Sequence, residues 1–273
     1  MESEVPLTPE AEEKLEAFFC AFECGLYPLL LLDYDGTLAP FRVNRFLALP
    51  WAGVRELLAQ IQSQKKTHMV VITGRPAAEI APLLGLDPPL EVWGLHGAER
   101  LFPDGRRELE QAPPATQAKL EELKTHLRRD ALGGLFEDKA NGAVMHWRGH
   151  ARSKQALIEQ RARELFEPLA AMEGLTLLEF ESGLELRVGC NKGGAVQAIV
   201  AEMRAAGQVP GPVAYLGDDL SDEAAFRAVN VFDGVHLSAL MRRAPRETAA
   251  DVWLRPPGEL REFLKRWLAA CRS

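Results

Sequence analysis

The chain has 273 residues, 47% of them hydrophobic, enough for one large domain or two small ones with a buried core. A formal charge of −7 argues against nucleic acid as a partner, and the arginine pairs Arg106-Arg107, Arg128-Arg129 and Arg242-Arg243 are scattered, with no aromatic platform between them. The longest strongly apolar run, Leu29 to Leu32, is far too short to span a membrane, and the acidic start MESEVPLTPEAEEKLEAFF reads as neither a secretory signal nor a transit peptide.

From about residue 9 to 24 the pattern is that of an amphipathic helix, with Leu15, Phe18, Phe19 and Phe22 on one face. After Pro28 comes a short apolar strand, Leu29 to Leu32, then a turn at Asp35-Gly36. Val54, Leu57, Leu58 and Ile61 repeat at helical spacing. A second strand, Met69 to Thr73, leads into Gly74 and a helix that Pro76 can start, and Glu91 to Leu95 forms a third strand. This strand–helix–strand alternation implies a parallel sheet with crossover helices.

The rhythm then changes. A charged helix is expected from about 114 to 130, a strand pair near 135–148, and a helix at about 151–172. Thr176 to Glu181 and Leu184 to Val188 read as a hairpin around Ser182-Gly183. The first rhythm returns with a helix at Lys192–Ala206 and a strand at Val213–Leu216, followed by short strands at Val229–Phe232 and Asp251–Leu254. The simplest account is a doubly wound α/β core, residues 1–107 and 189–273, that carries an inserted α+β cap or lid, residues 108–188.

Two acidic clusters end two of the apolar strands. Asp33-Tyr34-Asp35-Gly36-Thr37 follows Leu29–Leu32, and Gly217-Asp218-Asp219-Leu220-Ser221-Asp222-Glu223 follows Val213–Leu216. In an open parallel sheet, ligands bind beyond the carboxyl ends of the strands. Carboxylates brought close there repel one another unless a cation joins them, and oxygen ligands suit a hard ion such as Mg²⁺. The first cluster is not an EF-hand: Gly36 is its fourth residue instead of its sixth, and Asn44 stands where the closing glutamate belongs. Either cluster alone would fit a capped turn; two, each behind a buried strand, point to one site. Thr73 ends a strand with a hydroxyl, and Lys192 opens a helix whose N-terminus favours an anion. No GxxxxGK[ST] loop, GxGxxG, GxSxG or HExxH competes. The four cysteines, Cys20, Cys24, Cys190 and Cys271, lack zinc spacing and read as reduced thiols of a cytoplasmic protein.

In order, DYDGT, ITGR, Lys192 and GDDLSDE resemble the haloacid dehalogenase-like phosphatases, which implies their Rossmann-like core and their chemistry. By that resemblance Asp33 is the nucleophile and Asp35 the general acid/base. Thr73 and Lys192 hold the phosphoryl oxygens. Asp33, Asp35 and Asp218 form the Mg²⁺ site, with Asp219 and Asp222 supporting it. The narrower resemblance is to trehalose-6-phosphate phosphatases. It rests on DYDGTLAPF at 33–41, GLHGAE at 94–99, FEDKANGAVMHWR at 136–148, LELRVGCNKGGAV at 184–196 and YLGDDLSDEAAF at 215–226. It implies that Glu137, Lys139, Arg148, Glu185 and Arg187 grip sugar hydroxyls, with Gly74, Arg75 and His96 as further substrate contacts. Val188, Ser221 and Phe41 depart from the residues common in that family. Strand alternation agrees with the assignment, since Glu185 and Arg187 share one face of their strand and Leu184, Leu186 and Val188 the other.

The expected activity is hydrolysis of trehalose 6-phosphate by a monomeric enzyme that can associate with a trehalose-phosphate synthase. The alternatives are another sugar phosphatase, acting on sucrose 6-phosphate or mannosyl-3-phosphoglycerate, and a non-catalytic regulator of such a synthase.

Overall fold

The computed structural model describes residues 9–24, 27–129, 133–139, 141–180 and 182–272; the first eight residues, Ala140 and Glu181, which enter the sequence-based expectations, lie outside them. Along the chain run α1 (Pro9–Cys20), β1 (Tyr27–Leu32), α2 (Val54–Ser63), β2 (His68–Ile72), α3 (Ile80–Leu84), β3 (Glu91–Gly94), β4 (Glu99–Leu101) and β5 (Arg107–Leu109). There follow α4 (Pro114–Leu127), β6 (Phe136–Lys139), β7 (Gly142–His146), α5 (Arg152–Ala170), β8 (Leu175–Phe180) and β9 (Gly183–Val188). The last elements are α6 (Lys192–Ala205), β10 (Pro210–Gly217), α7 (Glu223–Asn230), β11 (His236–Met241), β12 (Val252–Leu254) and α8 (Gly258–Arg272).

These elements form two units, one from the residues up to Glu108 with those from Lys192 on, the other from Leu109 to Asn191. The first is built on an eight-stranded sheet of order β12-β11-β10-β1-β2-β3-β4-β5. Pairing is parallel from β12 through β3, and β4 runs antiparallel to β3. Strands buried on both faces need apolar residues at every position, and β1 supplies them. Leu30 and Leu32 face a core shared with Phe18 of α1, Leu58 of α2 and Trp267 of α8. Leu29 and Leu31 face a second core with Val196 and Ile199 of α6 and Phe226 of α7. The sheet is therefore doubly wound. Strand order reverses between β1 and its neighbours β10 and β2, the switch point where an open α/β sheet binds ligands.

The second unit is a four-stranded antiparallel sheet of order β6-β7-β9-β8, with α4 and α5 on one face. Ala143, Met145, Leu184 and Leu186 meet Leu120, Leu127, Ile158 and Phe166 there.

One expected strand is corrected. Val229 lies in the last turn of α7, which ends at Asn230, and residues 231–232 turn away from it; the strand lies instead at β11. Ala225, Phe226 and Val229 are spaced to bury one helical face, which decides the outcome. Among the described residues no helix is long and apolar enough to cross a membrane.

Candidate active site

The site forms where β1, β2 and β10 end. Asp33 follows β1 directly, and its N–H donates to the Leu216 carbonyl of β10 at 2.8 Å, which fixes the carboxylate beside the second acidic cluster. Lys192, the first residue of α6, is buried, and its Nζ donates to Asp33 Oδ1 and Asp222 Oδ1, each at 2.7 Å.

Asp222 is buried and its acceptor capacity is occupied. Oδ2 accepts from the backbone N–H groups of Asp218 and Asp219 at 2.9 Å, and Oδ1 also accepts from Tyr215 Oη at 2.5 Å. With Asp219 it completes a capping box on the turn Leu220–Asp222. Asp222 thus organises the loop that carries Asp218. Two glycines make room: a Cβ on Gly36 would overlap the Asp218 carboxylate, and one on Gly217 would overlap that of Asp222. Gly36 also has φ +83°, which favours glycine.

Carboxylate oxygens of Asp33, Asp218 and Asp222 lie within 4.8 Å of one another. Burial, then the neighbouring carboxylates, push Asp218 far above the usual carboxyl range. Burial also raises Asp33, against the pull of Lys192. One ammonium faces three carboxylates, a deficit that a divalent cation would balance. An all-oxygen donor set suits a hard cation. Because Asp222 is engaged by four donors, the free ligand positions belong to Asp33 and Asp218.

The Asp35 carboxylate stands outside this cluster of Asp33, Asp218 and Asp222. Both its oxygens accept from Arg75, Oδ2 from Nε at 2.6 Å and Oδ1 from Nη2 at 2.5 Å. Arg75 is accordingly turned to a protein carboxylate. Thr73 sits just past β2, buried, and its hydroxyl accepts the Arg75 N–H at 3.2 Å. His96, in left-handed backbone at φ +57°, packs against Gly74, where any side chain would displace its ring; its N–H donates to the Thr73 carbonyl at 2.7 Å.

Within the second unit, Glu137 and Lys139 of β6 and Glu185 and Arg187 of β9 come onto one sheet face, through their shared neighbours Val144 and Gly142 of β7. Lys139 Nζ pairs with Glu185 at 3.2 Å, and Glu137 with His146 at 2.8 Å. Arg187 is buried, its Nε has no hydrogen-bond partner among the described residues, and burial holds its guanidinium below the usual range. Arg148 is set apart beyond β7, exposed, with its Nε donating to Ser182 Oγ at 3.0 Å.

Two contributors escape the motif-based reading. Tyr215 carries a signal, a polar tip inside an otherwise apolar strand, which must find a partner once buried. The Arg75–Asp35 pair carries none, because nothing in the spacing of two residues forty positions apart announces contact.

The trehalose-phosphatase family profile matches residues 31–252. The chain is 32% identical over 252 residues to the trehalose-phosphate phosphatase of Mycobacterium marinum, covering 88% of this chain and 61% of that one. It is 29% identical over 254 residues to the enzyme of that name in Mycobacterium leprae, covering 88% and 57%. It thus spans about three fifths of these relatives' length. Among solved structures, trehalose-6-phosphate phosphatase of Aspergillus fumigatus superimposes with a TM-score of 0.76 at 23% identity, over 93% of this chain and 97% of that one. The C-terminal domain of a Candida albicans trehalose synthase regulatory protein gives 0.67 at 14%, over 94% and 99%. A haloacid dehalogenase-like hydrolase of B. subtilis gives 0.61 at 18%, over 87% and 98%, and shares the fold. By the extent of the profile match and of the mycobacterial likeness, the chain belongs to the trehalose-phosphatase family.

Proposed function

We propose that the chain is a phosphatase that converts trehalose 6-phosphate to trehalose and phosphate through a phospho-aspartate on Asp33. The observation that carries this is the Asp33 carboxylate itself, at the end of β1 on the sheet's switch point, held by the buried ammonium of Lys192 beside Asp218. An Asp33 oxygen attacks phosphorus as the bond to the sugar oxygen breaks, and Asp35 gives that oxygen its proton. Asp35 then takes a proton from the water that cleaves the acyl-phosphate. Lys192 and the Thr73 hydroxyl offset charge on the phosphoryl oxygens. Asp33 and Asp218 would hold Mg²⁺, which stabilises that same charge when bound.

Glu137, Lys139, Glu185 and Arg187 are assigned to the sugar. Arg187 supports this best, as a desolvated cation with a donor to spare. A location in the cytoplasm and association with a trehalose-phosphate synthase belong to the same proposal. The likeness to a regulatory domain motivates a second reading, a non-catalytic partner of the synthase. The presence of Asp33, Asp35, Thr73, Lys192 and Asp218 together favours catalysis. Phosphate release measured over a panel of sugar phosphates tests both. Turnover fastest on trehalose 6-phosphate is expected; preference for sucrose 6-phosphate overturns the substrate, and no release from any ester overturns the enzyme.

A further inference from the structure

Asp33 and Asp35 are two residues apart, yet each is held by a different cation. Lys192 reaches Asp33 from the start of α6, and Arg75 reaches Asp35 from the loop after β2. The two cations are not interchangeable. An ammonium is a point charge with rotatable donors, whereas a guanidinium is a rigid fork that fixes the plane of the carboxylate it binds.

The Arg75 fork is itself braced. Its side chain is 8% exposed. Nη1 donates to the Arg45 carbonyl at 2.7 Å, and the guanidinium lies 5.4 Å from the ring centroid of Tyr34, whose hydroxyl is tied to the Ala48 carbonyl at 2.7 Å. Its backbone is pinned too, with N–H on Thr73 Oγ1 at 3.2 Å and carbonyl accepting from Leu95 at 2.8 Å. The Asp35 backbone is bridged to Ala39, with the Gly36 N–H donating to the Ala39 carbonyl at 2.7 Å, but that bridge does not reach the carboxylate. Asp35 lies in the turn after β1, next to Gly36, with its side chain 25% exposed. Among the described residues only Arg75 hydrogen-bonds its carboxylate oxygens.

We propose that Arg75 is a positioning residue for the proton-transfer steps: its fork fixes the Asp35 carboxylate in the orientation from which it gives a proton to the departing oxygen and later takes one from water. Each Asp35 oxygen keeps a second lone pair beside the one that accepts from Arg75, so the fork and a proton on Asp35 can coexist. Proton transfer needs the donor within hydrogen-bond reach and aligned, and a side chain that swings loses that alignment in most of its rotamers. The proposal rests on the phosphatase reading above, and it gives Arg75 a task other than gripping substrate.

The test compares two esters that differ in their need for an acid. The oxygen leaving trehalose 6-phosphate must be protonated; 2,4-dinitrophenolate leaves without a proton. In Arg75→Lys, kcat/KM for the sugar ester is expected to fall about 10- to 100-fold and that for dinitrophenyl phosphate by less than about threefold, since acid–base assistance is worth about 10²- to 10⁴-fold. The dinitrophenyl ester should also show a burst of dinitrophenolate followed by slow turnover, because cleavage of the phospho-aspartate still needs Asp35 as base. The ratio between esters is taken in one preparation, so the fraction of folded variant cancels. Equal losses in kcat/KM on both esters would assign Arg75 to the fold and overturn the proposal. So would a rise in KM for both with kcat unchanged, which would assign it to phosphate binding. Wild-type protein that releases phosphate from neither ester overturns the phosphatase reading itself, a result that does not involve the variant.

Discussion

Asp33 shares Lys192 with Asp222, and this shared cation decides what its replacement does. In Asp33→Asn the ammonium keeps Asp222, and a crowded group of carboxylates loses one charge. Phosphate release is expected to fall below detection while the melting temperature stays within a few degrees of wild type; substantial turnover by the folded variant would remove the nucleophile assignment. Glu185 offers a second test. It pairs with Lys139 beside Arg187, so in Glu185→Ala two cations lose an anionic neighbour. If these groups read sugar, the second ring of a disaccharide loses buried hydrogen bonds worth about 1–3 kcal/mol each. kcat/KM for trehalose 6-phosphate should then fall about tenfold or more, while p-nitrophenyl phosphate, which has no sugar, changes little. Equal loss on both would make Glu185 a structural residue.

At the scale of elements, Glu91 stitches the sheet together where β3 begins. Its carboxylate takes His68 of β2 at 3.2 Å, the Trp93 indole at 2.7 Å and Arg100 of β4 at 2.8 Å. Burial alone would raise its pKa; the hydrogen bonds from His68 and Trp93 and the charge of Arg100 outweigh burial and hold it below the usual glutamate value. A carboxyl whose folded pKa is depressed stabilises the fold above its unfolded value, and that contribution disappears as pH falls through the folded value. Glu91→Gln is therefore expected to cost about 1.5–3 kcal/mol at pH 7 and progressively less in acid, read from urea unfolding at several pH values. A gap that does not narrow in acid would contradict this.

The same scale shows what a sequence exposes. Wherever an element is a continuous apolar run, as β1 is, or its apolar residues keep one period, as in α2 and β9, its place is legible. β11 is not, because buried Ser238 breaks the apolar run; its hydroxyl is satisfied by Asn230 and Asp251, partners the local pattern cannot reveal. The sequence-based reading places no element over α8, although Leu260, Phe263, Leu264, Trp267, Leu268 and Cys271 recur at helical spacing and bury one face. β4 and β5, three residues each, are too short for any period to register. The site follows the same logic. Acidic clusters at strand ends announce themselves, whereas the pairing of Arg75 with Asp35 and of Lys192 with Asp33 joins residues far apart in the chain.

The described residues form separate hydrophobic interiors, one on each side of the large sheet and one inside the inserted unit. Units with their own cores can unfold as separate steps. A cation held by Asp33 and Asp218 would stabilise only the unit that contains them, by about 2.7 kcal/mol at a hundredfold excess over its Kd. In a thermal scan with Mg²⁺ and then with chelator, the transition of the large-sheet unit should move and activity should vanish with the chelator. Trp147, the inserted unit's single tryptophan, reports that unit by comparison with Trp147→Phe. Full activity after exhaustive chelation would rule the cation out.

The inserted unit closes on itself. The backbone N–H of Cys190, near its end, donates to the Glu110 carboxylate, near its start, at 3.0 Å. A segment whose ends meet can be cut out of one chain and spliced into another without stretching either host, provided the junctions fall between these points. The first junction falls at Glu108–Leu109, where β5 ends. The second junction has no slack, for Asn191 is followed at once by Lys192, whose buried ammonium holds Asp33. Length added between Asn191 and Lys192 would therefore displace a buried ammonium, so the exit of the inserted unit is tied to the geometry of the candidate site.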